Sequence, residues 1–196
     1  FLDFEEAEKF LAAVAPRWSP IFRAAVRTGL RKGELVALRW EDVDWGRKVI
    51  RVRNSASGGK LTPTKSYGSR DVRMTGDLLE ALFSIRNNGS EYVFPNTGGG
   101  MLHPRSLERP LRGALKRSGV RRIRFHDLRH TFASHLTMSG APMKAVQELL
   151  GHADLKTTMK YAHLTPECRH GAVERLEQAV LDAQCVKNVT LGSSKA

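Results

Sequence analysis

Cysteine is nearly absent. Cys168 and Cys185 are the only two in 196 residues, and they form no C-x-x-C pair. That excludes a disulfide framework and a thiolate zinc site, and a reducing, cytoplasmic setting is expected. Long apolar runs are missing too. No stretch approaches the roughly 18 residues of a membrane span, so no membrane partner is expected. The opening FLDFEEAEKF is acidic, lacks the basic start of a secretion signal and has no initiator Met; a domain excised from a longer protein is expected. Acidic residues are few, 20 against 32 Lys and Arg. They form no convincing cluster for catalytic metals, which counts against a metal-dependent nuclease. No internal repeat is apparent.

What is present in excess is positive charge, net +12. A stable fold does not need that surplus, and a polyanion explains it, nucleic acid before anionic membrane; a merely basic, ribosome-like surface is the alternative. The charge is unevenly spread. Residues 104–130 hold nine basic side chains (Arg105, Arg109, Arg112, Lys116, Arg117, Arg121, Arg122, Arg124 and Arg129) against Glu108 and Asp127 alone. This stretch reads as a phosphate-facing surface, a solvated helix face being the plainer alternative.

The length suits one domain, and the pattern is mainly helical with one small sheet. Residues 3–15 read as a helix, with Asp3 as N-cap and Glu6 completing a capping box. Pro20 opens a second helix that Gly29 ends, and KGELVAL adds a turn or two. DVDWGRKVIRVRN alternates around Trp45-Gly46 as a β-hairpin, SASGGKLTPTKSYGS is turn-rich, and RDVRM returns as a third antiparallel strand. Helices are expected at 76–86, 104–118, 126–139, 142–150, 154–163 and 166–184. YVFPNTGGG is a short extended piece followed by a flexible loop. The final KNVTLGSSKA is small and polar.

Four clusters carry chemistry: TGLRKGEL at 28–35, TKS at 64–66, HDLRHTFASHL at 126–136 and LGHADLKTTMKYAHL at 150–164. His126 and Arg129 share one side of a helix start, where free N–H groups favour an anion. His126 and His130, four apart with Asp127 between, also resemble a zinc motif loosely, but Arg129 sets a positive charge against any cation. Gly151 turns the chain so that His152 points into a cleft. Tyr161 follows on a helix capped by Asp154. A phenol ionises near pH 10, so as a nucleophile it needs a base and a cationic pocket. Arg31, Lys65, His126, Arg129 and His152 are candidates to supply them.

In order and context these motifs resemble the tyrosine recombinases, the family of phage integrases and Xer-type resolvases, over roughly residues 1–165. The TGLR arginine corresponds to Arg31, the turn lysine before an R-x-V strand to Lys65 (Lys60 is its nearest rival), the H-x-L-R pair to His126 and Arg129, the LGH histidine to His152 and the tyrosine to Tyr161. The resemblance implies an α+β, mainly helical catalytic domain over 1–185 with a three-stranded antiparallel sheet. Residues 186–196 are expected to be a tail, disordered or exchanged, and the family's N-terminal core-binding domain is expected to be absent. It implies double-stranded DNA with specific recombination sites as partner, a homotetramer on paired sites, and no cofactor or metal.

Under this resemblance Tyr161 forms a 3′-phosphotyrosine link during integration or excision of a mobile element. Arg31 and Arg129 clamp the phosphate, His152 adds a hydrogen bond, His126 accepts or orients the proton, and Lys65 protonates the leaving oxygen. DNA relaxation of the type IB topoisomerase kind, or a DNA-binding module without catalysis, are the alternative readings. The apolar positions Val173, Leu176, Val180 and Leu181 suggest packing on a neighbouring protomer, and packing on the chain's own core equally.

Overall fold

The computed structural model describes residues 1–57, 60–63 and 69–165. Lys65, Cys168, Cys185, the expected helix at 166–184 and the tail lie outside the described residues.

The first helix, α1 (Phe4–Ala13), begins on the capping box read from the sequence: Glu6 N–H donates to the Asp3 carboxylate, and the Glu6 side chain accepts from Asp3 N–H. A short 3-10 turn at Pro16–Trp18 leads into α2 (Ser19–Thr28), which stops at Gly29 in the left-handed conformation, φ 63°. That is the usual way for a helix to end on a residue without Cβ. α3 (Lys32–Val36) is a single turn and a half. α2 buries Ile21, Phe22, Ala24, Ala25 and Val26. Phe22 sits edge-on to Phe10 and tilted against Phe125, at 5.6 and 5.7 Å between ring centres. Burial of such side chains is the main stabilising term, about 1.5–3 kcal/mol each.

The hairpin forms where the alternation places it. β1 (Val43–Asp44) and β2 (Val49–Val52) flank a turn in which Lys48 takes a positive φ of 55°. β5 (Arg70–Arg73) adds antiparallel to β2, pairing Ile50 with Val72, so the sheet order is β1-β2-β5. The turn-rich stretch differs from expectation. It contains a second antiparallel ribbon, β3 (Asn54–Ser57) with β4 (Lys60–Pro63). Neither strand is apolar enough to announce itself. Tertiary packing holds β3 in place, for a Cβ at Gly33 would stand 2.4 Å from the Ala56 carbonyl oxygen, so α3 and β3 meet backbone to backbone.

α4 (Gly76–Ser84) follows the sheet. Tyr92–Pro95 is extended, bridging to Arg39 and to Met101. The glycine loop beyond is not loose: Asn96 accepts from Gly98 and Gly100 N–H and donates to the Met101 carbonyl. The expected helix at 104–118 resolves into a 3-10 turn (Pro104–Leu107) and α5 (Glu108–Ser118). α6 (Phe125–Met138) is the central helix, burying nine residues, Arg129 among them. α7 (Met143–Leu150) ends at Gly151, φ 62°. α8 is shorter than the expected 154–163: it covers Leu155–Met159, capped by Asp154, and gives way to a turn and a 3-10 segment at Ala162–Leu164. Tyr161 therefore stands on the turn after the helix. The tight i→i−3 bond from Tyr161 N–H to the Thr158 carbonyl, 3.0 Å, replaces the α-helical one and swings the ring inwards.

The apolar interior has two parts. The larger joins α1 to α5 and the sheet with the start of α6. The smaller comprises Phe132, Ala133, Val146, Leu150 and Tyr161.

Candidate active site

Two helix ends and one helix start converge on the site. Arg129, on the second turn of α6, is only 3% exposed. Its guanidinium donates to the Gly29 carbonyl at 2.7 Å and to the Leu150 carbonyl, the C-termini of α2 and α7. These carbonyls carry the negative ends of the helix dipoles, which suits a cation. No carboxylate is bonded to Arg129 among the described residues. Burial, reinforced by the charge of Arg31, pulls its pKa down to about 9, still well above neutrality. Gly29 makes this approach possible, because a Cβ there would lie 2.4 Å from Phe132 Cδ1 on α6.

Arg31 is held by a carboxylate as well as by a carbonyl. Its guanidinium donates to Glu34 at 2.9 Å and to the Gly151 carbonyl at 3.2 Å. Glu34 is 2% exposed and takes two further bonds from Arg70 of β5, at 3.1 and 2.8 Å, and one from Arg31 N–H. Burial pushes the Glu34 pKa up, but the Arg70 hydrogen bonds and charge, with Arg31, hold it below the usual carboxylate value. Arg70 Nε also donates to the Leu149 carbonyl, 2.9 Å, so one ion-pair group ties α3, β5 and α7 together.

A cavity of about 330 Å³ opens beside these groups. Arg31, Lys32, Arg124, His126 and Arg129 line it, with one acid, Glu108, already paired to Lys32 at 2.6 Å. The His126 pKa is lowered by burial and by the charges of Arg129 and Lys160.

His152 follows Gly151 directly. Its Nδ1 shares a hydrogen bond with the buried Thr158 hydroxyl, 2.9 Å, and its backbone is clasped by Gln147. Burial, then the charges of Arg129 and Arg31, bring it down to about 4, so the ring is neutral at pH 7. Tyr161, 5% exposed, packs in the smaller apolar cluster, and its Oη lies 2.5 Å from His130 Nδ1. Burial raises the phenol to about 12, with Arg129 acting the other way.

Of the six residues singled out in the sequence, the structure gathers Arg31, His126 and Arg129 around one cavity. It sets His152 and Tyr161 within the fields of Arg129. Lys65 lies outside the described residues. The sequence reading missed Glu34, Arg70 and Thr158 as partners. It met His130 only as half of a metal pair with His126, whereas here the two rings meet edge to face, 4.8 Å apart. The basic stretch also divides. Arg121 is spent on Glu6 and Arg117 on the Ala13 carbonyl, so both serve α1, while Arg124 and Arg129 face the cavity.

Comparison with known proteins bears on the family and the fold. The family model described as the phage integrase family matches residues 1–187. A tyrosine recombinase XerC-like protein of Caldanaerobacter subterraneus subsp. tengcongensis is 30% identical over 88% of this chain and 52% of its own length. The crystal structure of XerA recombinase superposes with a TM-score of 0.72 at 29% identity, covering 89% of this chain and 64% of that one. XerH site-specific recombinase bound to difH substrate, a pre-cleavage complex, gives 0.67 at 26%, covering 91% and 53%. The chain spans about half the length of the curated relatives it matches. By its residues, its fold and these matches, this chain belongs to the phage integrase family.

Proposed function

We propose that the chain is the catalytic domain of a site-specific DNA recombinase, breaking and rejoining strands through a 3′-phosphotyrosine at Tyr161. The observation that carries the reading is the set of cations around one cavity, with Arg129 buried and, among the described residues, hydrogen-bonded to carbonyls alone. A phosphodiester bears its charge on two non-bridging oxygens, and the pentacoordinate transition state concentrates that charge. Guanidinium forks fixed in advance stabilise it without reorganising. Arg31 and Arg129 bind those oxygens and His152 donates a further hydrogen bond. Lys65 protonates the departing 5′-oxygen. The covalent link conserves the phosphodiester's energy, so rejoining needs no nucleotide. The net charge of +12 supports double-stranded DNA as the partner. Paired recombination sites bound by a homotetramer, in integration or excision of a mobile element, complete the proposal.

Trapping on nicked suicide DNA tests it. The full-length protein is incubated with its own junction sequence in EDTA and run on a denaturing gel. Wild type is expected to give a shifted covalent band, and Tyr161→Phe none while still binding DNA. A covalent band from Tyr161→Phe refutes the nucleophile. Loss of Arg31 or Arg129 is expected to slow capture at least about 10²-fold.

A further inference from the structure

The geometry points to His130 as the catalytic residue that takes the proton from Tyr161 as the phenol attacks phosphorus, which rests on the reading of Tyr161 as nucleophile. His126 was the acceptor expected from the motif. Among the described residues, however, Tyr161 Oη has its hydrogen bond with His130, at 2.5 Å from Nδ1, while His126 lines the cavity. Consecutive helix positions point about 100° apart, so α6 sends Arg129 towards the phosphate pocket and His130 towards the nucleophile. The ring of His130 is fixed on one side by His126, edge to face, and on the other by Tyr161, tilted at 5.9 Å.

For Nδ1 to accept, the ring must be neutral. Burial, then the charges of Lys160 and His126, bring His130 to about 4, with Asp127 alone acting upward and the Phe1 amino group adding to the decrease. The titratable His152, neutral at pH 7, and the charged Arg129 complete the groups around the pair. The free protein therefore keeps the proton on the phenol. An anion among the same cations offsets their fields and strengthens the ring as a base, so basicity arrives with the scissile phosphate.

The step balances. As the Oη–phosphorus bond forms, the phenol proton moves to Nδ1 and the ring becomes imidazolium. The bond from phosphorus to the 5′-oxygen breaks, and that oxygen takes a proton from the general acid assigned to Lys65. On rejoining, the 5′-hydroxyl attacks phosphorus and gives its proton back to the now neutral general acid, the phosphorus–Oη bond breaks, and the imidazolium returns its proton to the departing phenolate.

His130→Asn is the decisive variant, because the amide oxygen accepts the same hydrogen bond but no proton. Single-turnover capture on the suicide duplex is followed from pH 6 to 9.5 in full-length protein, with DNA binding and melting measured alongside. His130→Asn is expected to bind and melt like wild type. It captures about 10²-fold more slowly near pH 7, with the gap narrowing about tenfold per pH unit as the phenol ionises unaided. His130→Ala is expected to recover capture in proportion to added imidazole base. Capture by His130→Asn at the wild-type rate, or a gap constant across pH, overturns the assignment to His130 alone. Capture persisting in Tyr161→Phe overturns the nucleophile and this inference with it.

Discussion

Gly29 shows how a single backbone position serves the site. It ends α2 with φ 63°, lets Phe132 approach, and offers its carbonyl to Arg129. Alanine there adds left-handed strain of about 1–2 kcal/mol and a Cβ 2.4 Å from Phe132 Cδ1. Gly29→Ala is expected to lower the urea midpoint with an unchanged slope and to slow capture beyond its effect on stability. The spacing of the motifs made Arg31, His126, Arg129, His152 and Tyr161 legible as a group. Their partners were not. The carbonyls of Gly29, Leu150 and Gly151 carry no side-chain signature, Glu34 and Arg70 are 36 residues apart, and Thr158 resembles any helix threonine.

Element boundaries were readable where a residue forces them. Asp3 starts α1, and Gly29 and Gly151 end α2 and α7, each by a backbone preference that no distant contact overrides. Where packing decides, the reading failed. α8 stops at Met159 because Tyr161 is drawn into the smaller cluster, and β3 and β4 pair despite a turn-like composition. Contacts between elements add terms that a periodicity search never sees. Asp77 on α4 accepts from Arg23 and Arg27 of α2, both at 2.9 Å. Burial pushes its pKa up, but Thr75, Arg27 and Arg23 outweigh that and hold it at about 2. Since the folded value lies below the unfolded one, the contribution is complete above about pH 4 and is lost as the pH falls towards 2. Asp77→Asn is expected to cost about 1 kcal/mol at pH 7, the side chains being partly exposed. Its deficit against wild type should shrink as the pH falls from about 4 towards 2 in chemical denaturation.

At the scale of the whole molecule, the α+β, mainly helical architecture with a three-stranded antiparallel sheet follows the sequence reading. The excess of positive charge shows in the cavity, while part of the basic stretch is consumed in holding α1. The arginine at its centre has a thermodynamic consequence. Arg129 is buried at full charge, its hydrogen bonds among the described residues run to neutral carbonyls, and the Glu34 charge offsets its burial only in part, so the cation burdens the folded state. An anion seated beside it lifts that burden only while the chain is folded, so occupancy and folding are linked. Sulfate, or a short duplex, is expected to raise the melting temperature by about 5–10 °C at a hundredfold excess over Kd, equivalent to about 2.7 kcal/mol. Arg129→Met should lose most of that response in a thermal melt. Heat resistance of this domain thus becomes a gauge of whether an anion is seated beside Arg129, read from the protein without following the reaction.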